Sequence, residues 1–167
     1  MATAPELLAT SPEVLIRAMA EPDVEAVVAI ERAAYQFPWS EGIFRDCLRV
    51  GYVCRVACIG EEVIAYGVMS VGAGEAHILN LCVNAHFRCR GVGRRMLEYL
   101  VERARAAGMS EAFLEVRPSN TAAIRLYQSM GFEQVGIRRG YYQAVGGRED
   151  AAVLKLELQG RRPRTGS

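Results

Sequence analysis

The sequence predicts a mixed α/β domain, a sheet with helices on its faces, and three observations carry that reading. Gly91–Ala107 repeats apolar residues at helical spacing (Met96, Leu97, Leu100, Val101, Ala104) and stops at Gly108. Tyr52–Ile59 and Val63–Val71 are apolar runs joined by Gly60-Glu61, which reads as a hairpin. In the second half, strand-like and helical runs alternate, which places helices against a sheet rather than beside it.

In chain order, Val14–Met19 is the first strand. Pro22-Asp23 opens a helix whose residues Val24, Val27, Val28 and Ile30 form one broad apolar face. Ser40 can cap a second helix over Glu41–Val50. The hairpin and a further strand, Glu75–Val83, precede the Gly91–Ala107 helix. Glu111–Arg117 is a strand and Thr121–Met130 a shorter helix closed by Gly131. Glu133–Arg139 and Asp150–Leu158 are strands flanking a loop that contains glycine and tyrosine. Residues 1–12 read as a loose leader and 160–167 as a loose basic tail, leaving one domain over 13–159.

Composition removes several chemistries. The 167 residues are 51% hydrophobic and 23% charged, with 20 basic against 19 acidic side chains and a net charge of +1. That balance argues against broad polyanion binding, so no direct nucleic-acid contact is expected. Lys155 is the only lysine and lies in a strand-like run; no Gly-Lys-Ser/Thr phosphate loop exists. His77 and His86 are the only histidines, which excludes an HExxH zinc site, and no serine has a GxSxG context. Five cysteines (47, 54, 58, 82, 89) form no CxxC and read as small buried hydrophobes in a reducing compartment. With no signal segment and no long apolar run, a cytoplasmic protein is expected, away from membranes.

The most informative stretch is Leu81–Arg95, LCVNAHFRCRGVGRR, where a strand ends and a glycine pair opens a helix. Arg88, Arg90, Arg94 and Arg95 lie here without an acid. A helix start offers unpaired N–H groups and positive potential, and so suits a phosphate. Gly91 and Gly93 lack side chains that would hold a pyrophosphate off those amides. A solvated arginine face is the competing reading, since Arg94 and Arg95 are within helical reach of Glu98. A dinucleotide fingerprint fails, because Met96 stands at the third glycine position and Phe113 where a ribose-binding acid belongs. What remains is R-x-x-G-x-G, Arg88 to Gly93.

Together with LEVRPSNTAAIRLYQSMGF (114–132), this stretch resembles the GCN5-related N-acetyltransferase (GNAT) superfamily. The further set FPWS (37–40), IRRGYY (137–142) and RED (148–150) resembles its RimI branch, the bacterial ribosomal-protein-alanine acetyltransferases. The match runs from about Val14 to Leu158. It implies a GNAT fold: a mixed, mostly antiparallel sheet of about seven strands, splayed between Glu75–Val83 and Glu111–Val116, with about four flanking helices. It also implies acetyl-CoA as donor, no metal, a monomer, and an acceptor that is the N-terminal peptide of a ribosomal protein.

The resemblance assigns roles residue by residue. Backbone groups of Leu81, Cys82 and Val83 would hold the pantetheine arm and acetyl carbonyl. The amides of Cys89, Arg90, Gly91, Val92, Gly93 and Arg94 would bind the pyrophosphate, with Arg88 in place of the family's frequent glutamine. Asn120 matches a cofactor-contacting asparagine, a role compatible with capping the helix that follows. Alternation alone puts Glu115 on a face with Phe113 and Arg117, where pairing to Arg117 is the plain reading; the resemblance makes it the general base. Periodicity alone makes Tyr127 a core residue; the resemblance makes it the acid that protonates the departing thiolate. With ordinary pKa values of about 8.5 and 10, that transfer costs at most ~2 kcal/mol. Cys82 or Cys89 as an acetyl-carrying nucleophile has no base partner in the sequence.

Phe37, Trp39, Tyr141 and Tyr142 match family loops that flank the acceptor; Phe37 and Trp39 could equally pack the first two helices together. Residues 21–46 carry six acids against Arg32 and Arg45, and residues 86–95 carry four arginines. The acidic segment is expected to attract a cationic acceptor, and two solvated helix faces account for it equally well. An α-amine, pKa about 7.8, suits a single glutamate better than a lysine at about 10.4. Acetylation of another protein N-terminus, a lysine or a small-molecule amine, and a silent acyl-CoA-binding module, are the alternatives; retention of Glu115 and Tyr127 counts against the last.

Overall fold

A computed structural model describes residues 13–159. The leader (1–12) and the tail (160–167) lie outside the described residues. The elements are β1 (Val14–Ala18), α1 (Val24–Ala34), α2 (Glu41–Arg49), β2 (Val53–Ile59), β3 (Glu62–Gly72), β4 (Glu75–Val83), α3 (Val92–Ala106), β5 (Glu111–Val116), α4 (Thr121–Ser129), β6 (Glu133–Ala144) and β7 (Gly147–Glu157). The strands form one seven-stranded sheet in the order β1-β2-β3-β4-β5-β7-β6. Every pairing is antiparallel except β4 with β5. The predicted mixed sheet flanked by four helices is the fold observed.

Local chemistry explains the helix starts. Asp23 precedes α1, accepts the Ala20 N–H at 2.8 Å and takes Arg17 in a two-pronged ion pair at 2.7 and 2.8 Å. Ser40 caps α2 through its Oγ, which accepts the Ile43 N–H. The helices divide the core into two clusters on opposite faces of the sheet. Met96, Leu97, Leu100 and Tyr127 of α3 and α4 pack one face, with Leu114 and Leu154. Val24, Val27 and Phe44 of α1 and α2 pack the other, with Val56, Tyr66 and Val68. Gly67 lets α3 lie close: a Cβ there would sit 2.9 Å from Leu100 Cδ1 and 3.1 Å from Met96 Cγ.

The site is made where β4 and β5 part. Their parallel pairing runs from Glu75↔Glu111 to Ile78↔Leu114 and then ends. Beyond it, β4 stays with β3 to Ala65↔Val83, and β5 stays with β7 to Val116↔Ala152. A register shift at Val68/Met69 leaves Leu79 as an extra residue in β4 at the point of divergence.

One expectation needs correction. The tyrosine-bearing stretch after Arg139 is not a loop: β6 continues to Ala144 and β7 begins at Gly147, with Tyr142↔Glu149 and Gln143↔Arg148 in register. Gly140 (φ +60°) marks a bulge between Arg138 and Tyr142 rather than a strand end. The bulge is stapled from β7: the Gly140 N–H donates to Asp150 Oδ1 at 2.8 Å, and Arg148 Nη1 donates to the Gly140 carbonyl at 3.2 Å.

Candidate active site

The parted strands open into a cavity of about 520 Å³. Its walls include Leu79, Asn80 and Leu81 of β4 and Leu114, Glu115 and Arg117 at β5. Asn120, Tyr127, Phe37, Trp39 and Tyr142 also line it. Leu81, Glu115, Asn120, Tyr127, Phe37, Trp39 and Tyr142, which are far apart in the sequence, therefore border one space. Tyr141, Cys82 and the Arg88–Arg94 loop are not among its lining residues.

Glu115 is 9% exposed at its side chain. One carboxylate oxygen hydrogen-bonds His77 Nε2 from β4, and the other accepts Arg138 Nη1 from β6 at 3.1 Å. Burial pushes its carboxyl up, but the His77 bond and charge, then those of Arg138, outweigh it and hold it below the usual carboxylate range. The expected pairing with Arg117 does not form. Arg117 instead reaches Glu149 at 3.1 Å and lies over the Tyr142 ring at 4.4 Å. Sequence reasoning missed His77 and Arg138. Neither lies near Glu115 in the chain, and only the sheet register brings them together.

Tyr127 combines the core position that periodicity predicts with a place at the cavity. It is buried, packs edge-on to Phe132 at 5.9 Å and still borders the cavity. Burial pushes its phenol up to about 12. The gap to an ordinary thiol is then about 3.5 units, or about 5 kcal/mol, beyond the limit that ordinary values suggested. A thiolate formed in the same desolvated space is also raised, which narrows that gap.

At the other end, Gly91 (φ +77°) is the N-cap of the 15-residue α3. The first backbone bond into the helix runs from Arg95 N–H to the Gly91 carbonyl, so among the described residues the amides of Val92, Gly93 and Arg94 have no backbone acceptor. Gly91 thus answers to its left-handed conformation, while a Cβ on Gly93 would face Val83 and Leu126 at 3.5 and 3.7 Å. Neither Arg94 nor Arg95 pairs with Glu98 among the described residues; Arg94 Nη2 donates to Ser129 Oγ. The free amides and arginines fit a pyrophosphate. On β4, Tyr35 Oη–H donates to the Leu81 carbonyl at 3.2 Å and Arg88 Nε to that of Val83 at 3.4 Å, so both carbonyls point away from β3. Asn120 Oδ1 accepts the Ala123 N–H, the capping role the sequence offered.

The tyrosine-bearing edge of the cavity is more ordered than a loop. Tyr141 and Tyr142 stand on β6 with ring centroids 4.8 Å apart, and Arg138 lies 4.5 Å over Tyr141. Glu149 holds Arg117 and also accepts Ser119 N–H and Oγ–H at 3.3 and 2.8 Å. Trp39 packs on Phe44 at 5.3 Å, so the helix-packing reading of Trp39 holds alongside its place at the cavity. Most of the acidic segment is paired: Asp23 with Arg17, Glu21 and Glu41 with Arg45, and Asp46 with Arg49, while Glu25 is exposed. Glu31 is buried altogether. Cys82 is buried, its thiol pushed up by burial, and does not line the cavity; Cys89 is exposed and has no hydrogen-bonded base among the described residues. Among the described residues no group of three or more His, Cys, Asp or Glu could hold a metal ion, and no helix is long and apolar enough to cross a membrane.

Known proteins resemble this chain in sequence and in fold. The model of the acetyltransferase (GNAT) family matches residues 19–132. Over 136 residues the chain is 37% identical to the ribosomal protein bS18-alanine N-acetyltransferase of Escherichia coli (strain K12), covering 81% of this chain and 92% of that protein. It is 34% identical over 145 residues to the protein of the same name from Haemophilus ducreyi, covering 86% of this chain and all of the relative, 100%. The crystal structure of the ribosomal-protein-S18-alanine N-acetyltransferase from Escherichia coli superposes with a TM-score of 0.84 at 33% identity, covering 93% and 100% of the two chains. A putative acetyltransferase from Salmonella typhimurium, solved with its cofactor acetyl-CoA, shares the fold at a TM-score of 0.75 and 19% identity.

Proposed function

The chain belongs to the GNAT acetyltransferase family, and on that premise we propose that it moves an acetyl group from acetyl-CoA to the N-terminal alanine of a small-subunit ribosomal protein such as bS18. The observation that carries the reading is that Glu115 and Tyr127 border one cavity, between a phosphate-suited helix start and an aromatic edge. The identity to the bS18-alanine enzymes supports the acceptor.

Bound acetyl-CoA supplies an activated thioester. The amides of Val92, Gly93 and Arg94, with Arg88 and Arg90 nearby, hold the pyrophosphate, and the backbone of Leu81–Val83, beyond the last pairing with β5, orients the acyl arm. Phe37, Trp39 and Tyr142 hold the acceptor backbone. Glu115 takes the amine proton, directly or through a water, so that the nitrogen lone pair bonds the acetyl carbon. The C–S bond breaks as Tyr127 gives its proton to the leaving sulfur.

The acceptor type follows from the base. The His77 and Arg138 contacts hold the Glu115 carboxyl below the usual carboxylate range, so taking a proton from an α-amine at about 7.8 is uphill. A lysine at about 10.4 adds about 3.5 kcal/mol more. An N-terminus is therefore the better substrate for Glu115. The test is incubation with acetyl-CoA and peptides differing in their first residues, read by mass and released thiol. Turnover confined to N-terminal Ala peptides supports the reading; modification of lysines or small amines instead, or binding without turnover, overturns it.

A further inference from the structure

Glu31, in the last turn of α1, is 2% exposed and yet has no cationic partner among the described residues. Three neutral donors serve it instead. Trp39 N–H reaches Oε2 at 2.9 Å, Asn80 Nδ2 reaches Oε1 at 2.8 Å, and Tyr66 Oη–H also donates to Oε1. A carboxyl group placed out of water costs more than an apolar side chain of that size, so packing alone is a poor account of it.

What it joins is more informative. Trp39 belongs to the segment between α1 and α2 that borders the cavity, Tyr66 to β3, and Asn80 to β4 just beyond its last rung with β5, Ile78↔Leu114. The Trp39 ring packs on Phe44, and Phe44 edge-on against Tyr66 at 5.4 Å, so contacts return from Trp39 to the residue that donates to Glu31. Tyr35 ties the start of the same segment to Leu81 of β4. The segment from Tyr35 to Trp39 is thus anchored at both ends to the part of β4 that has left β5.

We propose that Glu31 is a positioning residue for acceptor recognition, fixing the Tyr35–Trp39 segment to the diverging end of β4 and so setting the width of the acceptor's entrance. It acts through Trp39 and Asn80 without touching the reacting atoms. The inference rests on the reading of this segment as the acceptor-contacting edge.

Trp39 is the only tryptophan, so its fluorescence reports the segment directly. Glu31→Leu removes all three acceptor contacts at similar volume. Glu31→Gln can keep them, because the Tyr66 hydroxyl and the Asn80 amide can exchange donor and acceptor roles while its carbonyl serves Trp39 N–H. Asn80→Ala cuts only the link to β4 and carries the test if Glu31→Leu does not fold. The expected result is freer quenching of Trp39 by acrylamide and a rise of about tenfold in peptide KM, with kcat and acetyl-CoA affinity within about threefold, restored in Glu31→Gln. Two results would overturn the proposal: Trp39 staying shielded in the folded variants, or Trp39 freed with peptide KM unchanged. If the unsubstituted protein acetylates no peptide, it is the functional reading that fails, and quenching alone still decides whether Glu31 holds the segment.

Discussion

His77 and Glu115 meet across the parallel pairing of β4 and β5, the imidazole Nε2 bonded to one carboxylate oxygen while Arg138 occupies the other. The carboxylate is therefore clamped and charged before any acceptor arrives.

Glu115→Gln should lower kcat by about 10²–10⁴-fold if the carboxylate is the base, measured at saturating acetyl-CoA. Its pH signature has a defined sign. The folded-state pKa lies below the unfolded one, so Glu115 contributes stability above about pH 4.5 that is lost as pH falls through the lowered value. A urea midpoint series from pH 7 down to about 3 should fall less steeply in Glu115→Gln than in the unsubstituted protein.

Tyr127→Phe should reduce kcat by about a hundredfold and leave acetyl-CoA affinity within a few-fold. With the phenol raised to about 12 by burial, Tyr127 stays protonated across the working range. The pH–rate profile should accordingly show no alkaline limb from this group below about pH 10. An unchanged kcat would return Tyr127 to a core role.

Asp150→Ala should release the Gly140 N–H, destabilise the protein by about 1 kcal/mol and raise peptide KM several-fold. The bulge it staples aims Arg138 at Glu115 and Tyr141 against Tyr142. Acetyl-CoA affinity, measured by calorimetry, should not move, because the phosphate end of the site lies on α3.

Gly67→Ala should lower stability by about 1–3 kcal/mol, or roughly 2–4 °C in Tm per kcal/mol. The added methyl would meet Leu100 and Met96 at 2.9–3.2 Å and push α3 away from β3. If the start of α3 holds the pyrophosphate as proposed, KM for acetyl-CoA should rise in the same variant.

The elements were legible because their signals are local. The apolar spacing of Met96, Leu97 and Leu100 predicts α3, Ser40 predicts the start of α2, and Gly60-Glu61 predicts the hairpin. Gly140 misled for the same reason: a left-handed glycine looks alike in a loop and in a bulge, and the Asp150 and Arg148 contacts that distinguish them come from the next strand. The acids of residues 21–46 summed to a charged segment, but Glu31 had turned inward to three donors from other elements.

By itself the sequence determined the class of fold, the helix start suited to a pyrophosphate, and, through its motifs, Glu115 and Tyr127 as the residues to examine. Hydrophobic period, capping and glycine placement act over a few residues, and so they are written in the chain. The tertiary structure alone decided what those residues face: His77 and Arg138 on Glu115, the desolvation of Tyr127, and the burial of Glu31 beneath the acceptor edge. Protonation and positioning depend on neighbours supplied by sheet register and strand divergence, and no spacing along the chain encodes them.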